Sequence, residues 1–391
     1  GAPAELAVAG TLAGGTLVGG GTTRADVWPP PTHLALALQD LDVVAVSGAF
    51  GDFTGARATA GTASVAASVD IREDGEVRPD AHGRIDGLAA VWDGWSGSAE
   101  HVETDVFAGS ALATRVTMRG AEGSPLERAS ATSLRARWDM DGYLTNGELR
   151  ATLDVEQPVV DAVRPEPSAV ERPTSRSLDL DVHAHDGRLT WRDTGVTPEV
   201  RVELDPFELS IEHLGTAAQR AHWTLDAQAR RGGHLVGTAD VDAFAGPGRT
   251  QDPRVHASLL GMSLGAWGDA ARAYLGVDGL TGRGDGELHL DAEGTRLDVH
   301  TEELGIRTSR LDVVAGLGDL RVEWRTDGDA PVITGSADDV RVLVAPGGEG
   351  SPGPLPRLRI PSLDVHGLQI AMPTHAGILR LADGMARARS V

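Results

Sequence analysis

Polar and apolar residues alternate one by one along much of this chain. Leu178, Leu180, Val182 and Ala184 are interleaved with Asp179, Asp181, His183 and His185. The same holds where Val200, Val202 and Leu204 alternate with Arg201, Glu203 and Asp205, and where Phe207, Leu209 and Ile211 alternate with Glu208, Ser210 and Glu212. Leu320, Val322 and Trp324 repeat the pattern among Arg321, Glu323 and Arg325, and Leu368, Ile370 and Met372 close the series. A period of two is what a half-buried strand requires, because successive side chains leave the backbone on opposite faces. One oily and one wet face per strand suits antiparallel hairpins and meanders; strands of parallel α/β sheets read as continuous apolar runs.

The punctuation agrees. Asp74-Gly75, Asp141-Gly142, Asn146-Gly147, Asp186-Gly187 and Asp327-Gly328 are Asx-Gly pairs, which tolerate the positive φ of tight hairpin turns. The pair at Asp186-Gly187 predicts a hairpin between 178–185 and 188–192. A Leu-Asp-Val echo at Leu41, Leu153, Leu180, Leu297, Leu311 and Leu363, followed by His at three of these places, reads as a repeated strand type. Its spacings are too irregular for a solenoid of fixed rung length. Helix is expected mainly over 263–276, where Leu264, Trp267, Ala271, Tyr274 and Leu275 fall near helical spacing before Gly276. The fold class is therefore all-β, predominantly antiparallel, with one or two short helices.

Pro158, Pro165, Pro167 and Pro173 mark 157–176 as a linker or long loop between a Gly/Ala-rich β region, 1–156, and a better-patterned one, 177–391. Trp28 to Thr32 and Ala345 to Pro356 also read as loops. Hydrophobic residues make up 41% of the chain but aromatics only 4%, so the oily faces are built of Leu, Val, Ala and Ile. With 35 basic and 57 acidic residues the formal charge is −22, which repels phosphate backbones and excludes a nucleic-acid role. It also weakens docking onto anionic headgroups. Every basic residue is Arg, which fits a GC-rich genome or an adaptation to high salt. There is no Cys, hence no disulfide and no thiolate metal site. No run approaches the 18 apolar residues of a membrane-spanning helix. Because it begins Gly1-Ala2-Pro3, the chain reads as processed or as a piece of a longer protein.

No catalytic motif emerges. Gly19-Gly20-Gly21 lacks the Lys-Ser/Thr of a phosphate loop, and Gly94-Trp95-Ser96-Gly97 misses the spacing of a nucleophile elbow. His183 and His185, two apart on a strand beside Asp179 and Asp181, face one way and have the donor types of a transition-metal site. His101, Glu103 and Asp105 make a similar polar face. A solvated strand face accounts for both without a metal. The acidic, Gly-rich run from Asp278 to Glu287 has oxygen ligands but lacks EF-hand spacing, and reads as a turn-rich hairpin. Trp92 and Trp95, which flank Asp93-Gly94, suit turn packing or a membrane–water boundary.

One stretch carries a family likeness. Residues 178–214 read LDLDVHAHDGRLTWRDTGVTPEVRVELDPFELSIEHL. In them Asp186-Gly187-Arg188-Leu189-Thr190-Trp191-Arg192-Asp193, then Val202 to Leu214, resembles the strand–turn–strand pattern of the AsmA-like superfamily. The segment from Leu259 to Leu290, and RLRIPSLDVHGLQIAM at Arg357 to Met372, are similar to further strand pairs of that group. The likeness covers roughly the second half of the chain, and the family's usual N-terminal membrane helix is missing from it. What the resemblance implies is a long curved antiparallel sheet, a β-taco groove with an apolar concave face that shields acyl chains between membranes in Gram-negative envelope biogenesis. Its location would be periplasmic or envelope-bound, its partners lipid acyl chains, envelope membranes or other envelope proteins, and it would need no cofactor. Leu180, Val182, Val202, Leu204, Leu209 and Ile211 are the expected groove-lining residues. The alternating faces are equally compatible with a sandwich or closed barrel, hence with a structural or adhesive surface protein. A carbohydrate-active β-enzyme is the third expectation.

Overall fold

A computed structural model describes residues 3–24, 26–47, 56–139, 142, 149–164, 178–214, 220–245, 254–291, 294–307, 311–327, 330–338, 341–346, 362–374 and 377–389. Beyond residue 307 the description is of the backbone. Strand dominates, as the alternation requires, and pairing is mostly antiparallel. The chain divides into two compact units, residues 1–187 with 214–216, and residues 188–213 with 217–391.

The first unit opens with an antiparallel meander of β1 (Ala4–Leu12), β2 (Gly15–Thr23), β3 (Thr32–Asp42), β4 (Ala56–Ile71), β5 (Val77–Trp92), β6 (Trp95–Asp105), β7 (Ser110–Arg119) and β8 (Leu126–Trp138). Its turns follow from local chemistry. Asp93 (φ 47°) and Gly94 (φ 80°) form the two-residue loop between the paired Trp92 and Trp95, the double positive-φ turn whose twist matches antiparallel strands. At Asp74-Gly75 the Asp74 carboxylate accepts from the Glu76 amide at 2.9 Å.

After β8 the pattern changes. The second half of β8 receives β9 (Leu149–Glu156) and its first half receives β10 (Val159–Val163). Gln157 (φ 50°) and Pro158 interrupt what is otherwise one returning strand. Next, β11 (Leu178–Asp193) lies parallel to β9, Leu178 opposite Leu149 through His185 opposite Glu156. A parallel neighbour needs a long connection, and β9 and β11 lie far enough apart in sequence to allow one.

The second unit repeats this plan. Its meander is β12 (Val200–Leu214), β13 (Ala221–Arg231), β14 (His234–Ala245), β15 (Arg254–Ser263), β16 (Gly279–Asp291), β17 (Gly294–Arg307) and β18 (Leu311–Asp327). The second half of β18 receives β19 (Ala330–Asp338), its first half receives β20 (Arg341–Pro346), and β21 (Ser362–Thr374) runs parallel to both before β22 (Gly377–Arg389) turns back. Leu134-Arg135-Ala136-Arg137-Trp138 on β8 and Leu320-Arg321-Val322-Glu323-Trp324 on β18 hold the same place in the two plans. A long strand, a split partner and a parallel return thus occur twice.

Two local expectations need correction. Asp186-Gly187 is not a hairpin: β11 runs unbroken through it, with Asp186 alone at φ 51°, and the two units part there. The positive φ bends a strand instead of reversing it. The run from Asp278 to Glu287 is not turn-rich either, since most of it is strand β16. Asp141, Asn146-Gly147 and Gly328 lie outside the described residues, as do most of the 157–176 and 345–356 loops.

The expected helix is present over 264–275, built from a 3₁₀ turn, an α turn and a π turn in succession. Gly276, at φ 67°, ends it in the left-handed conformation that costs glycine least. This helical cap is tied down at its middle and near its C-terminal end. Asp269 pairs with Arg231 of the β13–β14 hairpin. Tyr274 donates its hydroxyl to Asp193 at 2.5 Å, while the Gly195 amide donates to the other oxygen of that fully buried carboxylate at 2.9 Å. No described helix is long and apolar enough to cross a membrane.

A candidate apolar binding face

Cross-strand register turns the alternation of single strands into two sheet faces. In the second unit three adjacent rungs cross β12 to β17. The first joins Phe207, Ala227, Ala239, Leu259, Gly286 and Val299. The second joins Leu209, Leu225, Val241, Ala257, Leu288 and Leu297. The third joins Ile211, Trp223, Ala243, Val255, Leu290 and Thr295. Apart from Gly286 and Thr295 every position is apolar. At about 4.8 Å per strand the six strands span roughly 24 Å.

These side chains are not sealed. Phe207 and Ile211 are 5% and 7% exposed, but Leu259, Trp223 and Leu297 remain 36–37% exposed, and Leu209, Leu225, Val241 and Leu288 are half-buried. The inner face of a sandwich would be covered by a second sheet about 10 Å away; here the described residues leave Trp223, Leu259 and Leu297 partly open.

The first unit has its own apolar face. One rung runs Leu41, Ala63, Ile85, Val102, Ala113, Leu134, Val155 and Ala184 across β3 to β9 and on to β11. Beside it stand Ala136, Leu153 and Val182, and then Trp138, Ala151 and Leu180.

The six residues named from sequence all fall on these faces, Leu180 and Val182 in the first unit and Val202, Leu204, Leu209 and Ile211 in the second. The last four do so for a reason simple alternation does not contain. Val202 and Leu204 occupy even positions, Leu209 and Ile211 odd ones, and a regular strand would put them on opposite faces. The register shifts between Leu204, opposite Ala229, and Phe207, opposite Ala227: three residues of β12 advance against two of β13. This β-bulge restores both halves to one face. Arg230 donates to the Asp205 carbonyl at 2.6 Å and Arg188 to its carboxylate at 2.9 Å, fixing the extra residue. Phe207, already part of the alternation read from sequence, completes the face with Leu225, Val241 and Leu288, which were not singled out, although Trp223-Thr224-Leu225-Asp226-Ala227 carries the same alternation.

The opposite faces are charged. In the first unit His101 contacts Asp86 at 2.5 Å beside Arg84, so the expected His101–Glu103–Asp105 group divides, with Asp105 turning to His82 at 3.5 Å. The Arg84 guanidinium, then His101, hold the Asp86 carboxyl below its usual range. His183 and His185 stand opposite Asp154 and Glu156 of β9. In the second unit the rung behind the apolar face reads Glu208, Asp226, Asp240, Ser258, Glu287 and Asp298. Like charges directly opposed across strands repel. A hydrogen bond with Asp240 pushes Asp226 up, followed by desolvation and repulsion from Asp240 and Glu208.

A carboxyl raised in the folded state stabilises fully below its unfolded pKa, about 3.9, and loses that contribution as pH rises through the folded value. Asp226→Asn is therefore expected to raise Tm at pH 7 and to leave a smaller rise in Tm on acidification than the parent shows. Thermal scans across pH 4–8 check this, and coincident curves for the two proteins would refute it.

No family model, curated protein or solved structure matches the chain.

Proposed function

We propose that this chain is a non-enzymatic lipid-binding protein whose open apolar sheet faces shield acyl chains, in the service of lipid movement within a cell envelope. The observation that carries this reading is the largely apolar face of β12–β17, on which Trp223, Leu259 and Leu297 stay more than a third exposed. Apolar area left in water costs roughly 25 cal/mol per Å², so such a face calls for a guest. A single leaflet's chain spans about half of the ~30 Å hydrocarbon core of a bilayer, and fits within the ~24 Å width of the face. Each methylene removed from water contributes about 0.8 kcal/mol, so an acyl chain of ordinary length binds without any directional contact. Charged groups on the reverse face keep that side in water.

The test is the lipid content of the purified protein. Organic extraction and mass spectrometry are expected to find phospholipid or fatty acid bound in at least equimolar amount. A lipid-free protein that also fails to take up fluorescent phospholipid from vesicles refutes the reading. Ordered fibres or glycan binding in that lipid-free protein would favour a structural or adhesive surface role, and polysaccharide cleavage an enzyme.

A further inference from the structure

On the wet face of the second unit, three side chains, His256, Glu287 and Asp298, gather around His289 from three adjacent strands. Its Nδ1 lies 3.0 Å from Nδ1 of His256 on β15, with the rings edge to face. Its other nitrogen, Nε2, lies 3.6 Å from a Glu287 carboxylate oxygen. One ligand atom each from Glu287, His289 and Asp298 fall within 4.8 Å of one another. We propose that these three residues bind a divalent transition-metal ion of the zinc class, with His256 as a positioning residue. This does not depend on the lipid reading, because the group stands on the opposite face from the apolar rungs.

The donor set fits the ion. One imidazole and two carboxylates are ligands that zinc accepts at about 2.0–2.2 Å, and three protein ligands leave a position for water. The outer groups fit as well. A metal-bound imidazole needs its other nitrogen protonated and held, which fixes tautomer and ring plane. With the Nδ1 proton of His289 donated to His256, the Nε2 lone pair points to the carboxylates. Ser258, 3.4 Å from Nε2 of His256, braces that ring in turn. Arg296 holds one Asp298 oxygen at 2.6 Å and orients the group. The backbone sets the arrangement: Ser258 is opposite Glu287, His256 opposite His289, and Glu287 opposite Asp298.

A second group, Asp80, His82 and Asp105, likewise sets one imidazole beside two carboxylates in the first unit. There each His82 nitrogen faces a different carboxylate, Nε2 to Asp80 at 3.0 Å and Nδ1 to Asp105 at 3.5 Å. The ring is shared between two ion pairs, and among the described residues no third group frees either nitrogen for a metal.

Titration calorimetry of the tag-free chain with Zn²⁺, checked by elemental analysis after dialysis, tests the proposal. One equivalent is expected to bind. His289→Ala should weaken it at least 100-fold and Glu287→Gln at least 10-fold. His256→Phe should weaken it about 10–100-fold with stoichiometry unchanged, the range for loss of an outer-shell partner. His82→Ala should leave the isotherm as it was. If His289→Ala fails to keep the parent's circular dichroism, Glu287→Gln, at an exposed position, decides. Zinc that does not bind the parent, binds the Glu287 and His289 variants equally well, or is lost with His82→Ala overturns the proposal.

Discussion

Val241→Asp is expected to reduce bound lipid at least tenfold while leaving the sheet intact. Val241 sits on β14 in the middle rung of the apolar face, with Leu225 and Ala257 opposite it on the neighbouring strands. An acyl chain over this rung would strip water from the new carboxylate and supply no hydrogen bond in return. Burying an ionised carboxylate without a partner costs several kcal/mol, and 1.4 kcal/mol already corresponds to a factor of ten. In the lipid-free protein the half-buried position lets the carboxylate reach water, so the loss of stability stays near 1 kcal/mol, mainly lost β propensity and apolar contact. Thr224→Asp is the matched control: it adds the same charge one residue away from Leu225 on the wet face. Its lipid content should equal the parent's. Lipid extraction with circular dichroism on all three proteins reads the result. A Val241→Asp protein that folds and retains its lipid would remove the apolar face of β12–β17 as the binding surface.

How much of this was legible in the sequence depends on the range of the interaction. Alternation such as Glu208-Leu209-Ser210-Ile211 is a property of one strand, and the all-β class follows from it directly, as the helix over 264–275 follows from the local helical spacing of Leu264, Trp267 and Ala271. Phase is not a local property. The shift between Leu204 and Phe207 is set by pairing with Ala229 and Ala227, and only the conflict between even and odd apolar positions around Asp205-Pro206 hints at it. Asp186-Gly187 has hairpin chemistry, but a positive φ at Asp186 is compatible with a bend as well as with a reversal, and the parallel pairing of 178–185 with β9 selects the bend. The split partners of β8 and β18 were out of reach for the same reason. Their repetition leaves only the faint echo Leu-Arg-x-x-Trp at Leu134 and Leu320. The carboxylate rung from Glu208 to Asp298, and with it the His289 group, exists only once the register is known, because its members are drawn from six separate strands.

Phe207→Ala is expected to cost about 3 kcal/mol, the low end of the 3–5 kcal/mol range for emptying a buried aromatic site. Phe207 is 5% exposed and is the largest side chain among the described residues that are less than a tenth exposed. It stands where β12 resumes pairing after its extra residue, opposite Ala227, with Ala229 two residues further along β13. Both alanines are buried, and neither has the reach to fill the space that the ring would vacate. Collapse onto the vacancy would have to move the bulge itself, which Arg188 and Arg230 hold through Asp205. Hydrogen exchange at the amides of β12 and β13 measures the loss where it occurs, independently of how the first unit unfolds. Phe207→Leu, which keeps most of the volume, should cost less than about 1.5 kcal/mol. The ring is also what couples the two halves of β12. Without it the Val202–Leu204 half loses its fixed phase relative to Leu209 and Ile211, so Phe207→Ala should weaken lipid binding as well as folding. A loss below about 1 kcal/mol at these amides would mean that the bulge, and not the ring, sets the phase of β12.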